Sequence, residues 1–193
     1  MNQETMTDFS LEELKEELER EETKEKAVFS VRKTVSTLLI TAAAVVLLTT
    51  FVFPILRIHG SSMEPTLKED DVVLALKTTD IQKNDKVAFY YNNKVIVKRV
   101  IALPGDIVSV QSDGTVSVNG ETLDEPYVYE KALGECNISF PYTVPEGRIF
   151  VLGDHRSVSI DSRTSAIGCI PKERILGKTV FCIWPLGDIG LIN

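Results

Sequence analysis

The sequence predicts a mainly β protein: a β-rich domain carried on a single-pass N-terminal transmembrane helix. Two observations carry that prediction. Thr34 to Leu56 is a run of 23 residues without a charge, and the apolar runs after it are short and bounded by turn residues.

Taken in order, residues 1–33 hold ten acids and six bases. Residues 1–9 read as untethered chain. Ser10-Leu11-Glu12-Glu13 fits a capping box, with Ser10 as N-cap and Glu13 reaching back. Leu11, Leu14 and Leu18 then recur at helical spacing among Glu and Lys, which is the pattern of a solvated acidic helix with a narrow apolar stripe. The uncharged run follows. As a helix it rises about 34 Å, enough to cross a hydrocarbon core of about 30 Å. Arg32-Lys33 and Arg57 bracket it, and its length and late start argue against a cleaved secretory signal. The 20 residues before the span carry six bases, and the 20 after it carry only Arg57 and Lys68. That bias places the N-terminus in the cytoplasm and the rest outside the cytoplasmic membrane. The expected organisation is a cytoplasmic tail (1–33), a transmembrane helix (34–56) and an extracytoplasmic domain (57–193).

Beyond the span, Asp71–Leu76, Lys86–Tyr91 and Lys94–Leu103 read as strands. Asn92-Asn93 is a two-residue turn suited to positive φ, so it joins the second and third into a hairpin. Ile107–Gln111 and Thr115–Val118 flank Ser112-Asp113-Gly114, and Asn119-Gly120 supplies another tight turn. Residues 122–147 are irregular. Arg148–Leu152 and Lys178–Ile183 are the last apolar runs.

Composition narrows the function. A net charge of −7 over 193 residues argues against a nucleic-acid partner. Cys136, Cys169 and Cys182 form no metal spacing, and with His59 and His155 as the only imidazoles no multi-histidine metal site is expected. No cofactor is implied, and the sequence leaves the oligomeric state open.

Three stretches carry chemistry. His59-Gly60-Ser61-Ser62-Met63-Glu64-Pro65-Thr66-Leu67 begins where the apolar span ends and would pass for an ordinary turn in isolation. The strand Val95–Leu103 is apolar except for adjacent Lys98 and Arg99. Alternation puts these cations on opposite faces. They are either buried, and then paired or shifted in pKa, or snorkelling from an edge strand. Gly153 to Arg163 packs two Asp, two Arg and three Ser into eleven residues. A Ser-His-Asp triad is awkward here, because Asp154 and His155 are sequence neighbours whose side chains diverge on extended backbone. A Ser-Lys dyad needs one serine on a turn and one lysine in apolar surroundings, and Ser62 with Lys98 fits that description.

Ser62–Leu67, Val97–Asp106 and Gly153–Arg163, in this order after a membrane anchor, resemble bacterial type I signal peptidases across roughly residues 34–185. The resemblance implies a membrane-bound serine endopeptidase with a β-rich catalytic domain and a short β extension near 107–147. Its expected partners are the lipid bilayer and the signal peptides of exported preproteins, cut after Ala-x-Ala. It implies Ser62 as nucleophile and Lys98 as general base, with Ser159 holding the lysine amine. Arg99 with Asp154 and Asp161 with Arg163 are implied as bracing ion pairs. Ile58, Met63, Leu67, Ile96 and Val97 would line shallow substrate pockets beside an added substrate strand. The chain departs from the family at His155 (often Asn), at Val158 (commonly polar) and at Gly60, where some members have an oxyanion-binding serine. A backbone N–H would then hold the oxyanion. Two other readings use the same features: a membrane-anchored β module that binds peptides without cutting them, and a relative that processes a narrow set of pilin-like or spore proteins.

Overall fold

The structure, a computed structural model, describes residues 4–192, with side chains from residue 14 onward. The chain divides into two compact units between Leu48 and Thr49.

Helix α1, Glu4–Phe51, accounts for the first unit, and its last three residues fall in the second. No Gly or Pro interrupts the sequence before Pro54, so nothing stops the helix upstream of the span. The capping-box reading is corrected accordingly: α1 begins before Ser10 and runs through it, and residues 4–9, expected as untethered, are helical. Residues 1–3 of that expected tail lie outside the described residues. Leu38, Leu39, Ile40, Val46 and Leu47 are all exposed around the helix. Its apolar part is long enough to cross a membrane, and an apolar surface on every side calls for lipid.

Pro54 forces the chain into extended geometry, so the helix ends at Phe51. Ile55 and Leu56, read from the sequence as the end of the span, belong instead to the first strand of the second unit. That unit contains β1 (Ile55–Arg57), β2 (Val72–Leu76), β3 (Lys86–Tyr91), β4 (Lys94–Ala102), β5 (Ile107–Val110), β6 (Val116–Val118), β7 (Glu121–Thr122), β8 (Tyr142–Thr143), β9 (Arg148–Leu152), β10 (Ile170–Pro171), β11 (Ile175–Trp184) and β12 (Gly190–Leu191). The larger sheet has the order β1-β2-β11-β3-β4-β9-β10, with β12 beside β11; the smaller has the order β7-β6-β5-β8.

The β3–β4 hairpin closes through Asn92 (φ 46°) and Asn93 (φ 60°), the left-handed pair that a two-residue turn demands. In β4, Lys94 to Arg99 pair with β3, but β9 pairs only from Arg99 onward. Residues 94–98 therefore keep one unpaired edge. Apolar side chains of β4 serve three clusters: Val97 packs with Ile58, Met63 and Leu67, Val100 packs with Ile81 and Val151, and Ile101 packs with Val108 and Leu152. Both faces of β4 are thus covered at the level of its two cations.

Candidate active site

Ser62 sits on the turn after β1. One helical turn, Leu67 N–H to Met63 C=O at 2.9 Å, tucks Met63 and Leu67 into the core (both 1% exposed) and leaves Ser62 half-buried. Lys98, 36 residues away, lies opposite Val87 in the sheet and is 4% exposed. Its Nζ donates to Ser62 Oγ at 2.6 Å. Burial lowers its pKa from 10.5 to about 8, partly offset by Asp161. Desolvation dominates because no carboxylate bonds the amine. In the neutral form the bond reverses, and the serine O–H donates to the amine lone pair.

The snorkelling alternative for the adjacent cations does not hold: Lys98 is 4% exposed although it ends the unpaired edge, and Arg99 lies where β4 is paired on both sides. Arg99 is 1% exposed and grips Asp154 with two bonds, Nε to Oδ1 at 2.8 Å and Nη2 to Oδ2 at 2.6 Å. Asp161 and Arg163, both fully buried, pair the same way, with both contacts at 2.8 Å. Asp161 Oδ2 also accepts from the Gly153 N–H at 3.0 Å. The third stretch touches the serine directly: the His155 N–H donates to Ser62 C=O at 3.1 Å.

Three sequence expectations meet a different arrangement. Ser159 is buried, but its Oγ has no hydrogen-bond partner, so the expected bond to Lys98 is not made. The hydroxyl lies against Gly153, 2.2 Å from where a Cβ on that glycine would stand. Leu67 does not line the cleft at Ser62. The helical turn directs it to a separate pocket with Lys68, Asp71 and Cys182. The cleft itself, about 30 Å³, is lined by Ser62 with Ile58, Met63, Ile96 and Val97. His155, weighed as a triad member, has an unpartnered Nδ1, because Asp154 is taken by Arg99. All three cysteines are free.

A third buried pair was missed. Arg156 Nη2 reaches Glu125 Oε1 at 2.6 Å and Nη1 reaches Oε2 at 3.2 Å, with both side chains out of solvent. Arg156 stands in the sequence as a cation without an assigned acid. Its partner sits in the irregular 122–147 segment, where no local pattern marks it.

Gly60, two residues before Ser62, takes φ +83° with open space where a Cβ would be. Among the described residues the Ser62 N–H has no hydrogen-bond acceptor.

A serine hydroxyl bonded to a buried amine, with no imidazole engaged, is the arrangement of an amine-assisted serine hydrolase. Comparison with known proteins narrows that class. A family model described as signal peptidase, peptidase S26, matches residues 31–184, and the chain belongs to that family of serine endopeptidases. Signal peptidase I of Bacillus licheniformis is 33% identical over 171 residues, covering 80% of this chain and 89% of the relative. Signal peptidase IB of Staphylococcus aureus (strain Mu50 / ATCC 700699) is 38% identical over 152 residues, covering 68% and 78%. A crystal structure of a signal peptidase I from Enterococcus faecalis V583 aligns with TM-score 0.42 and 32% identity, over 51% of this chain and 96% of that one.

Proposed function

We propose that this protein cleaves signal peptides from exported preproteins at the outer face of the cytoplasmic membrane, with Ser62 as nucleophile and Lys98 as general base. The observation that carries this reading is the 2.6 Å contact between Ser62 Oγ and an amine that burial has made easy to deprotonate.

Neutral Lys98 takes the hydroxyl proton as Ser62 Oγ attacks the scissile carbonyl carbon. The resulting oxyanion is held by backbone N–H groups, that of Ser62 among them. Lys98, now an ammonium, returns the proton to the leaving amine as the C–N bond breaks, and the signal peptide stays esterified to Ser62. The same lysine then deprotonates a water that hydrolyses the ester.

The substrate enters as an added strand. The unpaired edge of β4 over residues 94–98 and residues of β1 border one cleft, which supports pairing on the β4 edge. The cleft is small, which favours alanine-sized side chains. The bias of bases toward the tail supports a cytoplasmic N-terminus. Protease added outside right-side-out vesicles should then digest the β domain and spare the tail; the reverse pattern refutes the orientation.

The mechanism is tested by comparing the wild-type chain with Ser62→Ala and Lys98→Ala on a preprotein in lipid vesicles. Both variants should leave the preprotein uncut while melting as folded proteins. Processing by either at the wild-type rate removes the dyad.

A further inference from the structure

We propose that Tyr127 is a positioning residue for the Ser62 turn, holding the Arg99 guanidinium in place by stacking its ring on it; this rests on reading Ser62 as the nucleophile. Arg99 ties together both supports of that turn. Its Nη2 donates to Thr66 Oγ1 at 3.1 Å, four residues beyond the serine, and to Asp154 Oδ2. The next residue after Asp154 holds the Ser62 carbonyl.

A guanidinium has five N–H donors, all in its plane. Those of Arg99 go to Asp154, Thr66 and, through Nη1, to the Asn84 side chain and carbonyl at 2.7 and 3.3 Å. The plane is saturated, so only the two faces remain for further contact. Tyr127 takes one of them, with Arg99 Cζ 3.7 Å from its ring centroid. In this buried setting the ring's negative face meets an unhydrated cation, where such attraction is strongest.

The ring is itself fixed. Tyr127 Oη donates to Glu125 Oε1 at 3.2 Å, and Glu125 is clamped by Arg156, whose Nε bonds Gly153 C=O at 3.0 Å. The Tyr129 N–H holds Asp154 C=O at 3.2 Å. The strand-poor segment between β7 and β8 is thus stapled to the backbone that carries Asp154 and His155, and Tyr127 is its contact with Arg99. Simple packing would need any residue of that shape. Positioning through the cation needs the electron-rich face.

Ring fluorination separates the two. Phenylalanine and its 4-fluoro, 3,4,5-trifluoro and pentafluoro derivatives keep the shape while draining the face of negative charge. They are placed at position 127 of the full chain in detergent, with preprotein cleavage as the readout. Tyr127→Phe should stay within about threefold of wild type. Across the fluorinated set kcat should fall in order, reaching about tenfold at pentafluorophenylalanine, with KM within twofold and the melting temperature lowered by only a few degrees, so that every variant is fully folded in the assay. Tyr127→Leu should lose at least as much; if it does not fold, the fluorinated series still decides. A flat kcat across the series overturns the proposal, as does a fall carried by KM or one seen only in variants that are partly unfolded at the assay temperature. Ser62→Ala is run alongside. If it is inactive while the series is flat, positioning alone fails; if it still cleaves, the nucleophile assignment fails.

Discussion

Replacing Lys98 with methionine should abolish cleavage and make the protein more stable at neutral pH. Burial lowers the Lys98 pKa from 10.5 to about 8. At about 1.4 kcal/mol per pKa unit, holding that amine charged inside the fold costs about 3 kcal/mol below pH 8. The sign follows from proton counting. Between about pH 8 and 10.5 the unfolded chain binds the proton and the folded chain does not, so wild-type stability climbs with pH through that window. Methionine fills a similar volume and carries no charge, but it gives up the bond to Ser62, about 1 kcal/mol. The net gain is about 2 kcal/mol at pH 7, a rise of about 5 °C in melting temperature for a chain of this size. It should shrink to nothing by about pH 10. Melts of the full chain in detergent micelles, followed by circular dichroism at half-unit steps from pH 6 to 10, measure it. A methionine variant that melts at or below wild type at pH 7, or an advantage that persists at pH 10, refutes the reasoning.

Cleavage by wild type should rise about tenfold between pH 7 and pH 9 as a lysine with a pKa of about 8 loses its proton; a flat profile over that range would sink the lysine base. Gly153→Ala should lower kcat by about a hundredfold, since the added Cβ would stand 2.2 Å from Ser159 Oγ and 2.5 Å from the Ser62 carbonyl. Wild-type kinetics in that variant would mean the serine turn is not held as described. At Gly60, alanine and serine suffer the same left-handed strain at φ +83° and meet no neighbour, but only serine adds a hydroxyl. Gly60→Ser should therefore cleave at least about tenfold faster than Gly60→Ala, and equal rates would exclude an oxyanion role for that position.

Features encoded by neighbours along the chain could be read from the sequence; those that depend on distant partners could not. The β3–β4 hairpin is local: Asn92-Asn93 between two apolar runs dictates it. The first strand was hidden, because Ile55 and Leu56 continue the apolar composition of the span, and only the extended geometry before Pro54 separates them. Lys98 announced itself as a charge inside an apolar run, yet its partner 36 residues earlier was legible through family resemblance and not through spacing. Glu125 and Tyr127 had no such signal, since an acid and an aromatic in an irregular loop are commonplace until Arg156 and Arg99 are seen beneath them. Ser159 shows the opposite error. Family resemblance assigned a bond, and the buried hydroxyl makes none.

The arrangement of the four most deeply buried cations separates bracing from chemistry. Arg99, Arg156 and Arg163 are each essentially removed from solvent, and each closes on a carboxylate with two bonds. A guanidinium does not deprotonate, so at each position the cost of burial must be offset by an anion. Lys98 is buried to nearly the same degree and is bonded to a hydroxyl alone. Lysine has an exit that arginine lacks: it can shed its proton. A fourth carboxylate bonded to Lys98 would stabilise the ammonium and lock away the lone pair that must accept the serine proton. In the proposed mechanism, absence of that anion is therefore what frees this amine to act as the base. On the same logic, Lys98→Arg should be as inactive as Lys98→Met but less stable, because it buries a charge that can be neither paired nor released. If Lys98→Arg matched or exceeded methionine in stability, the claim that this site is built to disfavour a fixed positive charge would be wrong.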